Sequence, residues 1–234
     1  MSEEILKALT QLFAIITKQD DGVSENERQF VINFFQAELD QDSIKEYLEL
    51  YDNYSGYNKQ GTAEEEKNKL TSVKDSLKTL AICKKINKTL TQKQKVIVLI
   101  KIIELVDSDE HLTSQRLEII NTVSTVFNIA NETFKLIEAF ILSKKIVDLN
   151  FSDILVVDSG LEKSTDVQKH VHVHAHIEGS LVFMRVKSVD MFFVKYLGEQ
   201  SNSLNGFTMQ PNRVYLFSHG SIIKTQEGDA LYYS

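Results

Sequence analysis

The spacing of apolar residues changes near residue 148, and this change limits the chain to a two-part fold. Before that point apolar residues recur three or four positions apart, as in "EILKALTQLFAII", which is typical of amphipathic helices. The chain's one proline, Pro211, lies far beyond this region, so no proline interrupts these helices. We predict an all-α helical bundle over residues 1–147 and a second domain over residues 148–234.

The second domain consists of short runs of β-branched and aromatic residues. "DILVV", "SLVFMRV", "MFFVKYL" and "RVYLF" are separated by turn sequences such as "DSG", "EGS", "QPN" and "SHG". Short strands at such close intervals are typical of sandwiches and barrels. We therefore predict a small antiparallel β-sandwich, so that the whole chain is an α plus β protein.

Charge and composition exclude several classes of function. The formal net charge is −7 without a basic tract, which argues against nucleic acid, because phosphate binding needs clustered Lys and Arg. The single cysteine, Cys83, excludes an internal disulfide framework and a Cys-rich zinc site. No stretch approaches the roughly 20 apolar residues of a membrane span, and the N-terminus lacks the features of a signal peptide. We expect a cytoplasmic chain without direct membrane insertion.

An internal repeat relates two acidic turns of the helical region. "FAIITKQDDGVSENERQFVINFF" aligns with "IIELVDSDEHLTSQRLEIINTVS" at an offset of 89 residues, so that Ser24 aligns with Thr113. Each unit contains an apolar helix, an acidic turn, a Ser or Thr cap and another helix. In the first unit Glu27, three residues after Ser24, predicts a capping box. The repeat predicts two stacked helical hairpins with their acidic turns at the same end of the bundle.

The acidic residues of these turns have two interpretations. In one, they favour the positive end of a helix macrodipole and satisfy its free N–H groups. In the other, carboxylates from both turns converge on a hard cation such as calcium or magnesium, although the spacing of an EF-hand is absent. The candidate ligands are Asp20, Asp21, Glu27, Asp107 and Asp109.

Four of the six histidines occupy alternate positions in "QKHVHVHAHIEG". In a strand these four side chains share one face, while the intervening apolar residues face the core. The histidine face has three interpretations: a solvated surface, a metal site, or a surface that responds to pH. Successive histidines lie about 7 Å apart along such a strand, so two could share one ion but four could not. The candidate ligands are His170, His172, His174 and His176.

The first acidic turn lies in a segment, "ITKQDDGVSENERQFV", that resembles the signature of the tellurite-resistance TerB-like family. The matching residues are Asp21, Gly22, Val23, Ser24 and Glu27. The resemblance covers roughly residues 5–140. It implies an all-helical bundle of two related hairpins, metal binding by the acidic turns, and membership of stress-response and membrane-associated systems. In the second turn His111 replaces the glycine of this signature and Arg116 replaces its glutamate.

The C-terminal stretch "LNGFTMQPNRVYLFSHGSIIK" resembles the end of a forkhead-associated domain. In that domain an Asn-Gly hairpin turn, here Asn205-Gly206, precedes two apolar strands that are separated by a Gly-containing turn. A Gly-Arg turn before a Ser-x-x-His loop, which would bind phosphothreonine, is not found in the sequence. The resemblance therefore implies a forkhead-associated-like β domain without an intact phosphopeptide site.

The order of the two domains resembles the N-terminal cytosolic region of a group of bacterial ABC transporters. This implies an ATP-binding cassette after Ser234, because no G-x-x-x-x-G-K-[ST] motif lies within the chain. The first functional hypothesis is a non-catalytic regulatory or adaptor region that contacts a protein partner or its own cassette. One alternative is a free-standing stress-response adaptor whose cofactor is a divalent cation. Another is a hydrolase that uses the histidine strand and a carboxylate.

Overall fold

The chain folds into a helical unit followed by a unit made mainly of strands. The two compact units are Met1–Ala130 and Asn131–Ser234. This arrangement confirms the predicted α plus β fold class. The computed structural model describes residues 3–18, 23–57, 68–108, 113–160, 169–173 and 176–233.

Within the described ranges the first unit contains six α-helices. They are α1 (Glu3–Thr17), α2 (Glu25–Glu38), α3 (Gln41–Ser55), α4 (Asn68–Asn87), α5 (Gln92–Asp107) and α6 (Ser114–Val126). The predicted capping box of α2 is confirmed: the Ser24 hydroxyl accepts the N–H of Glu27, and the Glu27 carboxylate accepts the N–H of Ser24. α2, α3, α5 and α6 therefore begin where a capping side chain satisfies one of the first free N–H groups.

The apolar stripes predicted from the sequence form the core of this unit. Burial of each large side chain contributes on the order of 1.5–3 kcal/mol relative to exposure, so these stripes are a main source of the unit's stability. Tyr51 is buried among them, and its hydroxyl donates a hydrogen bond of 2.9 Å to Thr17. The buried members of the stripes are Leu9, Leu12, Phe13, Ile16, Phe30, Val31 and Phe35.

The second unit contains one helix and two sheets in its described residues. The helix is α7 (Asn131–Leu142), and the strands are β1 (Ile154–Asp158), β2 (His170–His172), β3 (Ser180–Val186), β4 (Met191–Leu197), β5 (Ser203–Leu204), β6 (Phe207–Thr208), β7 (Val214–Phe217), β8 (Ile222–Lys224) and β9 (Ala230–Tyr232). One sheet has the order β2-β1-β3-β4-β7, and the other has the order β6-β5-β8-β9. β2 runs parallel to β1, and the other strand pairs of the described residues are antiparallel.

The histidine run differs from the long strand that its alternation predicts. Among the described residues of the run, only His170–His172 forms a strand, and it lies at the edge of the sheet. Val171 was expected in the core but is 46% exposed, because an edge strand lacks a neighbour on one side. Val173 is half-buried and Ile177 is buried, so the predicted inward face is correct towards the end of the run.

The two faces of the five-stranded sheet contact different layers. On one face α7 packs against β3, and the fully buried Lys195 donates a 2.5 Å hydrogen bond to the carbonyl of Ser143, just after α7. The Lys195 ammonium also lies 5.3 Å from the ring centroid of Phe140. The other face packs against the four-stranded sheet. Its shared core contains Val157, Ile177, Leu181, Val194, Tyr196, Leu204, Met209, Phe217 and Ile223.

α7 ends at Leu142 and β1 begins at Ile154, so the change from helix to strand lies between these two residues. The second compact unit nevertheless includes α7, since this helix packs on the sheet, whereas the predicted domain 148–234 begins after it. Among the described helices, none combines the length and the apolar character that crossing a membrane requires.

Candidate metal centre

The acidic candidates of the helical unit are only partly covered by the structure. Asp20, Asp21 and Asp109 lie outside the described residues. Asp107 is the last residue of α5 and is half-buried. Glu27 lies in the first turn of α2 and is fully buried. The convergence of both acidic turns on one hard cation therefore stays a prediction.

Glu27 contacts an arginine from the second half of the internal repeat. The Arg116 guanidinium nitrogen Nη2 lies 3.1 Å from Oε1 of Glu27, and the two side chains are 3% and 0% exposed. Each residue follows a capping residue by three positions, and the hydroxyls of Ser24 and Thr113 accept their backbone N–H groups. The guanidinium thus brings a full positive charge to this carboxylate without a metal ion.

A cluster that contains two of the predicted histidines lies in the strand-rich unit. His170 Nε2 is 2.6 Å from Oδ2 of Asp158, and His172 Nδ1 is 2.7 Å from Oδ1 of the same carboxylate. The imidazole rings are 4.5 Å apart between centroids. The side chains of Asp158 and His170 are 5% and 7% exposed, whereas that of His172 is 50% exposed. The cluster is therefore open to solvent on the side of His172.

The parallel pairing of β1 with β2 brings these three side chains together. Asp158 pairs with His172, and Val156 pairs with His170, so the three polar residues alternate with apolar ones and share one face. Backbone hydrogen bonds from Val156 to Lys169 and from Val173 to Asp158, at 2.9 and 2.8 Å, fix this register on both sides of the cluster.

The turn after β1 orients the Asp158 carboxylate. The Gly160 N–H donates a hydrogen bond of 2.9 Å to Oδ1 of Asp158. Burial alone would raise the pKa of this carboxyl, but the hydrogen bonds from Gly160, His172 and His170 outweigh it and hold the pKa below its ordinary value. Asp158 is therefore an anionic carboxylate at neutral pH, which is the form that binds a cation.

This cluster has the donor atoms of a transition-metal site. Among the residues that the structure describes, it is the one group of three or more His, Cys, Asp and Glu whose ligand atoms all lie within 4.8 Å of one another. Two imidazole nitrogens and one carboxylate oxygen suit zinc, which takes three protein ligands at sites that keep a fourth position open. Calcium and magnesium prefer oxygen ligands alone, so they fit this donor set poorly.

The other two predicted histidines do not belong to this group. His174 lies outside the described residues. The ring of His176 is exposed and lies 3.2 Å from Glu227 and 3.4 Å from Asp229 instead. The sequence prediction missed Asp158, because its position after "ILVV" suggested a turn residue. The signal available was a carboxylate at the very end of an apolar run that precedes the histidines.

Comparison with known proteins identifies the helical region. The family described as "Tellurite resistance protein TerB" matches residues 6–139, which are more than half of the chain and end before the histidine cluster. Among curated proteins and among solved structures, none matches. The match agrees with the resemblance in the first acidic turn and runs from α1 through the six helices of the first unit, which we call the TerB unit, into α7. The chain therefore belongs to the TerB family.

Proposed function

We propose that this chain is a non-catalytic, metal-responsive adaptor that acts through protein contacts. In this proposal the strand-rich unit binds one divalent transition-metal ion, with zinc as the preferred ion, through Asp158, His170 and His172. The observation that carries the proposal is the convergence of their three ligand atoms within 4.8 Å. The TerB unit and the surfaces around the metal would then contact the partner.

The environment of the three side chains supports metal binding. Asp158 is held by the Gly160 N–H, as carboxylates at metal sites are held by surrounding hydrogen bonds. The half-exposed His172 gives an ion a route from solvent. The present N–O separations of 2.6 and 2.7 Å are hydrogen bonds, whereas ligands of tetrahedral zinc lie about 3.3 Å apart. Zinc would therefore replace these two hydrogen bonds, and their loss would offset part of the free energy of zinc binding.

The helical unit contributes the adaptor surface rather than a second metal site in this proposal. Glu27, the one buried candidate ligand among the described acidic residues, already pairs with Arg116. A metal at this position would have to displace a buried guanidinium, which would remain as an unpaired charge. The hard-cation hypothesis for the acidic turns is therefore the weaker one for this chain.

The partner suggested by the sequence resemblance is the ATP-binding cassette of a bacterial ABC transporter, on the cytosolic side of the membrane. The succession of a TerB unit and two packed sheets supports this assignment and the forkhead-associated-like character of the second unit. A binding assay between this chain and such a cassette, with and without zinc, tests it. Equal retention of the cassette and of an unrelated ATPase would contradict the assignment without affecting the metal site.

Calorimetric titration with zinc chloride tests the metal site directly. We expect saturable binding of one ion per chain, and much weaker heat with magnesium or calcium chloride. His170→Ala should lower the zinc affinity at least tenfold because it removes one of three ligands. His176→Ala is the matched control, since this histidine comes from the same run but contacts Glu227 and Asp229. Absence of saturable zinc binding by the wild-type chain would refute the proposal.

A hydrolytic assay separates an adaptor from a metal-dependent hydrolase. Hydrolysis requires a substrate cleft and a general base beside the metal. The proposal predicts that the zinc-loaded chain cleaves an activated ester such as p-nitrophenyl acetate no faster than free zinc at the same concentration. Turnover that depends on both zinc and His170 would replace the adaptor by the hydrolase hypothesis.

A further inference from the structure

A cleft opens between the two sheets of the strand-rich unit. It has a volume of about 460 Å³ and lies on the face of the five-stranded sheet opposite the metal centre. Small-molecule sites typically measure roughly 300–1,000 Å³ and combine an apolar lining with a few polar groups. The apolar lining of this cleft includes Leu155, Phe183, Phe192, Phe217 and Leu231.

The rim of the cleft carries an excess of positive charge. Lys187 pairs with Asp153 at 2.8 Å, and Arg185 pairs with Asp190 at 2.8 Å while it lies over the ring of Phe192. Lys169 also lines the cleft, and its ammonium donates a hydrogen bond of 2.6 Å to the carbonyl of Ser152, a neutral acceptor. The two carboxylates therefore balance two of the three cations, and the chemistry of the rim favours an anion.

The cleft and the metal centre share strand β2. His170 and His172 point to one face of this strand, where they contact Asp158, whereas Lys169 and Val173 line the cleft on the other face. β2 has three residues and, among the described strands, pairs with β1 alone. Few backbone hydrogen bonds therefore hold it on the sheet, so the contacts of its side chains contribute to its docking.

We propose that the cleft binds a small apolar molecule that carries one anionic group, and that a metal ion at Asp158, His170 and His172 strengthens this binding. The apolar lining takes the body of the molecule, and the anionic group lies at the rim near Lys187 and Lys169. The second half of the inference rests on the metal site proposed above, while the first half stands without it.

The coupling follows from linkage. An ion that binds only when β2 is docked on β1 increases the population of the docked form. Lys169 and Val173 line the cleft in that form, so a ligand of the cleft binds more tightly when the ion is present. Couplings of this kind typically change an affinity by about fivefold or more.

Two fluorescent probes with the same aromatic skeleton test the cleft. Anilinonaphthalene sulfonate is apolar and anionic, and N-phenylnaphthylamine is its neutral counterpart. We expect the wild-type chain to bind one sulfonate probe at least fivefold more tightly than the amine. Lys187→Glu should weaken the sulfonate at least fivefold and leave the amine within twofold. Lys224→Glu is the matched control, because this exposed lysine lies on β8 outside the cleft.

Zinc titrations of the same complexes test the coupling. Saturating zinc should tighten sulfonate binding about fivefold or more in the wild-type chain, and His170→Ala should abolish this gain. If zinc binds by calorimetry but leaves the sulfonate affinity unchanged, the coupling is wrong and the metal-binding function stands. If zinc does not bind, the metal-binding function fails, while the zinc-free probe titrations still decide the cleft.

Equal affinity for the two probes, or equal effects of Lys187→Glu and Lys224→Glu, would overturn the cleft as an anion-selective site. The circular dichroism spectrum of each variant identifies loss of folding. The comparison of the two probes on the wild-type chain does not depend on any variant, so it decides the first half of the proposal even if a substitution unfolds the unit.

Discussion

Each unit of this chain contains a carboxylate that contacts basic side chains, and the two clusters differ in their access to solvent. The Glu27–Arg116 pair in the TerB unit is sealed, with side chains that are 0% and 3% exposed. The Asp158–His170–His172 cluster in the strand-rich unit is open, because His172 is half exposed. A guanidinium is a permanent cation, so the sealed carboxylate has its counter-charge built in.

Imidazoles behave differently, because a neutral imidazole can offer a lone pair to a metal ion. The carboxylate of Asp158 is therefore available to an external cation, whereas that of Glu27 is not. A buried acidic residue at a repeat position therefore indicates a metal site only when its partner is not itself a permanent cation. Four predictions, in order of decreasing effect, test this contrast.

The largest effect is expected from breaking the sealed pair. Arg116→Met should destabilise the helical unit by about 3–5 kcal/mol, because it leaves the buried Glu27 carboxylate without its cation. Urea denaturation followed by far-ultraviolet circular dichroism measures the change. Glu27→Gln in the same chain should recover part of the loss, since glutamine can keep the capping role and carries no charge. A loss below about 1 kcal/mol for Arg116→Met would contradict the view that the pair is structural.

The second effect concerns the stability that zinc confers on the open cluster. At free zinc 100 times the dissociation constant, binding should stabilise the strand-rich unit by about 2.7 kcal/mol. Asp158→Asn should remove most of this gain, because the amide is a much poorer ligand than the carboxylate. Scanning calorimetry with and without zinc measures it. Asp229→Asn is the control, since Asp229 contacts His176 rather than the cluster, and a gain retained in Asp158→Asn would contradict the assignment.

The third effect comes from a glycine next to the open cluster. Gly160 has φ +77°, and a Cβ atom there would lie 3.3 Å from Cγ and Nδ1 of His172. Gly160→Ala should destabilise the unit by about 1 kcal/mol through backbone strain and lower the zinc affinity roughly tenfold by displacing the imidazole.

Gly228→Ala separates these two contributions. Gly228 has φ +95° but no neighbouring atom within 4 Å of a Cβ, so this variant carries the strain without the contact. It should lose similar stability and keep its zinc affinity, as measured by denaturation and calorimetric titration. If both variants bind zinc equally well, the turn after β1 does not position His172.

The helical unit could be predicted in detail because its signals are local. The spacing of apolar residues and the Ser24 cap with Glu27 three residues later depend only on neighbours within one or two turns. These local signals could not predict the contact of Glu27 with Arg116, although the repeat aligned the two residues. Alignment shows equivalent positions, and only the packing of two hairpins shows that these positions meet.

The open cluster could be predicted only in part because strand pairing is not local. Alternation placed His170 and His172 on one face, and the structure agrees. It could not show that β2 pairs in parallel with β1, which brings Asp158 between the two imidazoles. Alternation also predicted a longer strand than the described residues contain. It does not show that β2 lies at the edge of the sheet, where Val171 can be exposed.

The smallest effect is expected at the chain's one cysteine, which lies in the helical unit and, like the Glu27–Arg116 pair, is buried. Cys83 is buried in α4, and burial raises the pKa of its thiol to about 12. At pH 8 only about one thiol in ten thousand is then the reactive thiolate. Native protein should therefore remain unlabelled by Ellman's reagent over the time in which urea-unfolded protein reacts completely.

The sign of the corresponding stability change follows from the raised pKa. The neutral thiol is favoured in the folded chain, so the contribution of Cys83 is complete below the ordinary pKa of 9.0 and is lost as pH rises towards about 12. Cys83→Ser would not share this alkaline dependence, and denaturation midpoints at pH 8 and pH 10 compare the two. Zinc should leave the labelling of native Cys83 unchanged, because the ion binds the imidazoles of the other unit. If Ellman's reagent labels native Cys83 rapidly and zinc suppresses this labelling, Cys83 is itself a zinc ligand. The contrast between the sealed and the open cluster would then be wrong.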